Sequence, residues 1–83
     1  MPAHLDEVGS AATESLLPAS VRQAVARMEA EYREMPGLML TIPQAQRLWG
    51  LERATCTIAL ATLLQRRFLK QAANGLYLRE RPG

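Results

Sequence analysis

The chain of 83 residues predicts a mainly α domain closed by a small β-hairpin. Apolar residues recur at spacings of three and four through two segments, about 20–35 and 53–67, as they do when one face of a helix is buried. A shorter segment between them opens with a capping signature at Thr41 and stops at Gly50. An Asn74-Gly75 step then separates two short strand-like runs, a strong hairpin signal because both residues tolerate the positive φ of tight turns.

Residues 1–17 come first and read as a flexible acidic arm, with residues 18–83 forming the folded domain. The arm holds Asp6, Glu7 and Glu14 with no Lys or Arg, and Leu16 and Leu17 are candidates to dock on the body. His4 has no His or Cys near it, so it reads as a solvated terminal residue; zinc needs three or four clustered ligands.

The first helix carries Val21, Val25, Met28, Tyr32 and Met35 on one stripe. Ser20 with Gln23 predicts a capping box, Glu29 and Arg33 form an i,i+4 pair, and Pro36-Gly37 is expected to end the helix through a left-handed glycine. Leu38 to Thr41 suit a brief strand. Thr41 then caps a short helix, Gln44 stands three residues later and Pro43 lies in the first turn, where a missing N–H costs little. Ala45, Leu48 and Trp49 form its expected buried side, and Gly50 its stop. In the third helix, Cys56, Leu60, Leu63, Leu64 and Arg67 share a face, with Ala59 beside them, while Arg53, Thr57, Ile58, Ala61 and Gln65 look away. Phe68 to Gln71 and Leu76 to Arg79 complete the hairpin.

Composition bounds the function. A chain that is 48% apolar and 22% charged is ordinary for a globular protein. Cys56 alone cannot form an internal disulfide, which points to a reducing cytoplasm, and no signal peptide or membrane span is visible. The net charge of +2 is unevenly spread. Residues 1–17 carry −3, and the remainder sets ten bases against five acids, or +5. Residues 18–46 are balanced, whereas residues 47–83 set seven bases against Glu52 and Glu80. A basic half beside an acidic arm is the asymmetry expected of a polyanion binder.

The order of elements resembles the winged helix-turn-helix family of bacterial regulators. The likeness is carried by Leu40-Thr41, Ala45, Leu48, Gly50-Leu51, Thr55-Cys56, Leu60, Leu63, Phe68-Leu69 and Asn74-Gly75-Leu76-Tyr77. It implies three helices plus a two- or three-stranded wing, with residues 42–49 bracing a recognition helix at 53–66 in the major groove of double-stranded DNA. The segment from Phe68 to Arg79 would be the wing. By this resemblance Arg47, Arg53, Thr55, Thr57 and Ile58 lie nearest the groove, and Arg66, Arg67, Lys70 and Arg79 on backbone phosphates.

Simpler roles stand beside these. Arg66, Arg67 and Lys70 also complement the dipole at a helix C-terminus. Ile58 packs on the bracing helix, stays singly exposed, meets bases or meets a protein. Trp49 reads as core, and Tyr77 as wing core or phosphate donor. Thr55, Thr57, Ile58 and the alanines offer hydroxyls and methyl groups, suited to thymine methyls and unsuited to bidentate guanine contact. With one His and one Cys far apart, no Gly-rich phosphate loop and no carboxylate pair, the sequence predicts neither an enzyme nor a cofactor or metal. The competing function is a winged-helix module that binds another protein or a second copy through Ile58 and Ala61. A further possibility is that the basic body holds its own acidic arm.

Overall fold

The computed structural model describes residues 16–80. The acidic arm lies outside the described residues except for Leu16 and Leu17, and so does His4. Three helices and a three-stranded antiparallel sheet follow one another as α1 (Ala19–Glu34), β1 (Met39–Leu40), α2 (Ile42–Trp49), α3 (Arg53–Gln65), β2 (Leu69–Gln71) and β3 (Tyr77–Arg79). The sheet order is β1-β3-β2, so the last strand lies between the other two. Met39 pairs with Leu78 and Leu40 with Tyr77, while Lys70 opposes Leu78 from the other side.

One core joins all the layers. Val21, Ala24, Val25, Met28 and Tyr32 of α1 meet Ala45 and Trp49 of α2, Cys56, Ala59, Leu60 and Leu63 of α3, and Leu69 and Tyr77 of the sheet. Leu17 packs against it, but Leu16 is exposed. The Tyr32 hydroxyl donates to the Tyr77 carbonyl at 2.8 Å, tying α1 to the central strand. Its ring also packs at a tilt against Trp49, with centroids 6.2 Å apart. Burial raises the pKa of both the Tyr32 phenol and the Cys56 thiol, and proximity of Cys56 adds to the Tyr32 shift.

The helix ends show where local sequence rules hold. Thr41 forms its expected capping box: its hydroxyl accepts from Gln44 N–H at 3.3 Å, and its own N–H donates to the Gln44 side chain at 2.9 Å. Gly50 ends α2 in the left-handed conformation at φ 62°. At α1, by contrast, the expected Ser20–Gln23 box does not form, because Ser20 already lies inside the first turn. Pro18 takes the cap position, its carbonyl accepting from Val21 and Arg22. Pro36 and Gly37 stop α1 differently from expectation: they sit within a four-residue turn closed by Leu38 N–H on Met35 O at 2.9 Å, and Gly37 has no positive φ. Met35, placed on the buried stripe by spacing, falls past the helix end and is exposed. Leu48 corrects a second expectation at 47% exposed, because Ala45 and Trp49, one turn apart, already define the buried line of so short a helix.

The hairpin also departs in detail. Gly75 alone takes positive φ, at 88°, and its N–H bonds to Ala72 O at 2.9 Å while Ala72 N–H bonds to Leu76 O. This is a three-residue connection with a glycine bulge rather than a two-residue Asn-Gly turn. Asn74 contributes through its side chain, which accepts from Leu76 N–H at 3.2 Å.

Candidate nucleic-acid interface

Helix α3 has one buried and one open side. Cys56, Ala59, Leu60, Thr62 and Leu63 are buried, and the Thr62 hydroxyl is satisfied by the Ile58 carbonyl one turn earlier at 2.8 Å. Sequence spacing missed Thr62 as a core residue; such back-bonding lets a hydroxyl sit in an apolar interior. On the open side, Ala54, Ile58, Ala61 and Gln65 follow one another at spacings of three and four and carry no charge, with Thr57 at their flank. Ile58 is 42% exposed, so packing on the bracing helix does not cover it. Thr55 is half-buried, whereas Arg53 and Arg47 of α2 are exposed. The Arg47 and Arg53 side chains have no hydrogen-bonded or ionic partner among the described residues.

The other end of α3, about 20 Å along the axis at 1.5 Å per residue, is built differently. Arg67 does not extend the helix on its apolar face as spacing suggests. It stands beyond the end at φ 61°, in the left-handed region. Its N–H reaches Leu64 O and the Phe68 N–H reaches Leu63 O, both at 3.0 Å, the paired closure in which glycine usually occupies this position. The backbone thereby turns the chain from α3 into β2.

Arg66, Phe68 and Arg79 gather at this turn. Arg66 pairs with Glu29 of α1 at 3.0 Å, and Arg33 holds the other oxygen of the same carboxylate at 2.8 Å. The guanidinium carbon of Arg79 lies 4.0 Å from the Phe68 ring centre and that of Arg33 5.5 Å, close enough for cation–π attraction. Glu29, Arg66, Arg67, Phe68, Arg79 and Glu80 line an open cavity of about 470 Å³. Lys70 is exposed on the outer sheet face, beside the Met39–Leu78 pair.

The basic residues that the sequence places in one set thus form two groups. Arg53 begins the open face of α3 and Arg47 is exposed on α2, while Arg66, Arg67 and Arg79 line the cavity at Phe68 with Glu29 of α1, and Lys70 lies on the outer face of the sheet. Glu29 and Phe68 were missed as members of the second group. The i,i+4 relation of Glu29 to Arg33 is visible in sequence, but Arg66 is 37 positions from Glu29 and nothing local announces their pairing.

Among the described residues no cluster of His, Cys, Asp or Glu could hold a metal ion, and no helix is long and apolar enough to cross a membrane. Comparison with protein-family models, curated proteins and solved structures finds no match to this chain.

Proposed function

We propose that this is a winged helix-turn-helix domain that binds double-stranded DNA as a small regulator, with α3 in the major groove and the β2–β3 hairpin as its wing. The observation that carries the reading is the open face of α3. It projects from a braced pair of helices, has no carboxylate between Arg53 and Gln65, and is followed directly by an antiparallel hairpin. Thr57, Ile58 and Ala61 supply short groups for base edges; Arg47, Arg53, Arg66, Arg67, Lys70 and Arg79 supply phosphate contacts. A buried, neutral thiol suits the reducing cytoplasm where such a regulator works.

Titration of random duplex DNA between about 50 and 200 mM salt tests this, because each neutralised phosphate adds roughly 0.9 to the log–log salt slope. Steep salt dependence is expected. No binding at the lower salt overturns the reading and leaves the fold intact.

Exposed Leu48 and Ile58 favour a second reading, in which α2 and α3 present an apolar interface to a protein partner or a second copy. Ile58→Asp then dissociates the assembly in sedimentation, since a charge in an apolar contact is left unpaired. On the DNA reading it alters sequence preference and leaves assembly unchanged.

A further inference from the structure

The cavity at the end of α3 is positively charged although it contains two carboxylates. With Arg33 included, four arginines face Glu29 and Glu80, and Glu29 is already shared by Arg33 and Arg66. Arg67 is exposed, and its side chain has no ion-pair partner among the described residues. It holds a left-handed conformation that costs a side chain about 1–2 kcal/mol and that glycine adopts freely.

We infer that this cavity binds the acidic N-terminal segment of the same chain, with Asp6 and Glu7 placed against Arg67 and Arg79, so that the segment competes with DNA for these guanidiniums. The docking stands independently of the DNA reading; only the competition rests on it.

Charge and reach both support this occupant. The first 15 residues carry three acids and no Lys or Arg. Their exit is fixed, because Arg22 Nη1 donates to Leu17 O and Leu17 packs on the core. From Ala19 to Glu29, α1 rises about 15 Å, whereas the ten residues between Leu16 and Asp6 span up to about 35 Å. Asp6 and Glu7 therefore reach the cavity. Glu14, two residues from Leu16, has only about 7 Å of chain with which to cover that distance. Tethering supplies an effective concentration near the millimolar range, so a contact too weak to hold a free peptide is occupied within the chain.

The experiment uses full-length, isotope-labelled protein and reads the Arg67, Phe68 and Arg79 signals by NMR at about 20 and 500 mM salt, conditions that lengthen and shorten the screening distance. In the parent these signals shift with salt. In Asp6→Asn/Glu7→Gln the low-salt spectrum at these positions takes the high-salt form, while Glu14→Gln retains the parental response. Identical low-salt spectra of parent and double variant, equal responses to Glu14→Gln, or shifts confined to Arg47 and Arg53 overturn the docking. Duplex DNA is the second arm: Asp6→Asn/Glu7→Gln should bind about 3- to 10-fold more tightly, the range two exposed ion pairs supply, and Glu14→Gln distinctly less so. Docking seen by NMR with unchanged duplex affinity overturns the competition. Absence of duplex binding by every variant removes the DNA reading, and the NMR result alone then decides the docking.

Discussion

Helices α2 and α3 leave their last turns through residues of nearly the same positive φ, 62° at Gly50 and 61° at Arg67. The residues that adopt it are opposite in kind. Gly50 takes the conformation at no steric cost, and a Cβ built there meets nothing within 4 Å, so the glycine serves the backbone. Arg67 takes it against its own preference and carries a guanidinium to the rim of the Phe68 cavity. The first exit is architecture alone. The second retains a costly side chain inside a basic cluster, and strain at such a place motivates a functional reading.

The largest test concerns what holds the second exit. Leu63 is fully buried, and its carbonyl receives the Phe68 N–H that closes the turn. Leu63→Ala should cost about 2–5 kcal/mol in a denaturant melt through the cavity it leaves, whereas exposed Leu48→Ala, near the first exit, should cost less than about 0.5 kcal/mol. Equal losses would break the contrast between an exit anchored in the core and one carried by local backbone geometry.

Alkaline pH acts on the floor beneath both exits. Tyr32 and Cys56 are buried, and desolvation raises each above its ordinary value, 10.0 and 9.0 respectively. The folded state therefore holds these protons after the unfolded chain has begun to release them. Their contribution is complete below about pH 8.5 to 9 and declines as pH rises. Melting temperature should fall above that point, and Cys56→Ser/Tyr32→Phe should fall less steeply. A parental melting temperature flat to about pH 11, beyond both ordinary values, would contradict the assigned burial.

The exits also show what was legible in the sequence. Gly50 and the Thr41–Gln44 box follow from residues within one turn, and both appear as expected. The helix spacing also places Leu60 in the core and Ile58 outside it. Pro36-Gly37 carries an equally local stop signal, yet the chain satisfies it with a tight turn and no left-handed glycine. Arg67 was the hardest to read, since continued helical spacing places it on the apolar face. What ends α3 instead is the need to bring Leu69 into the core and pair β2 with β3, a tertiary requirement with no local signature. The candidate interface divides for the same reason. Arg53 and Ile58 face outward by helix phase, but Glu29 draws Arg66 toward α1 from a distant part of the chain.

A smaller effect than loss of Leu63 is expected at the first exit. Gly50→Ala should cost about 1–2 kcal/mol, all of it conformational because there is space for the methyl group. A thermal melt unchanged by the substitution would mean the loop relaxes into another conformation, and the likeness of the two turns would lose its force.

The smallest stability change, and the one that separates the two exits most sharply, is expected for Arg67→Gly. Glycine relieves about 1–2 kcal/mol of left-handed strain, while its greater freedom in the unfolded chain returns about 0.4–1 kcal/mol. The balance is a gain of about 0–1.6 kcal/mol, opposite in sign to Gly50→Ala. On the proposed DNA reading, loss of the guanidinium should at the same time weaken binding to all duplex sequences alike and lower the salt slope by about one. Arg67→Ala removes the same charge without relieving the backbone, so it should reproduce the DNA defect without the stability gain. Denaturant melts and salt-series titrations of the two variants measure these effects independently. If Arg67→Gly destabilises the domain, the side chain itself supports the fold; if it is more stable and binds DNA as the parent does, the strained arginine serves neither the fold nor the duplex.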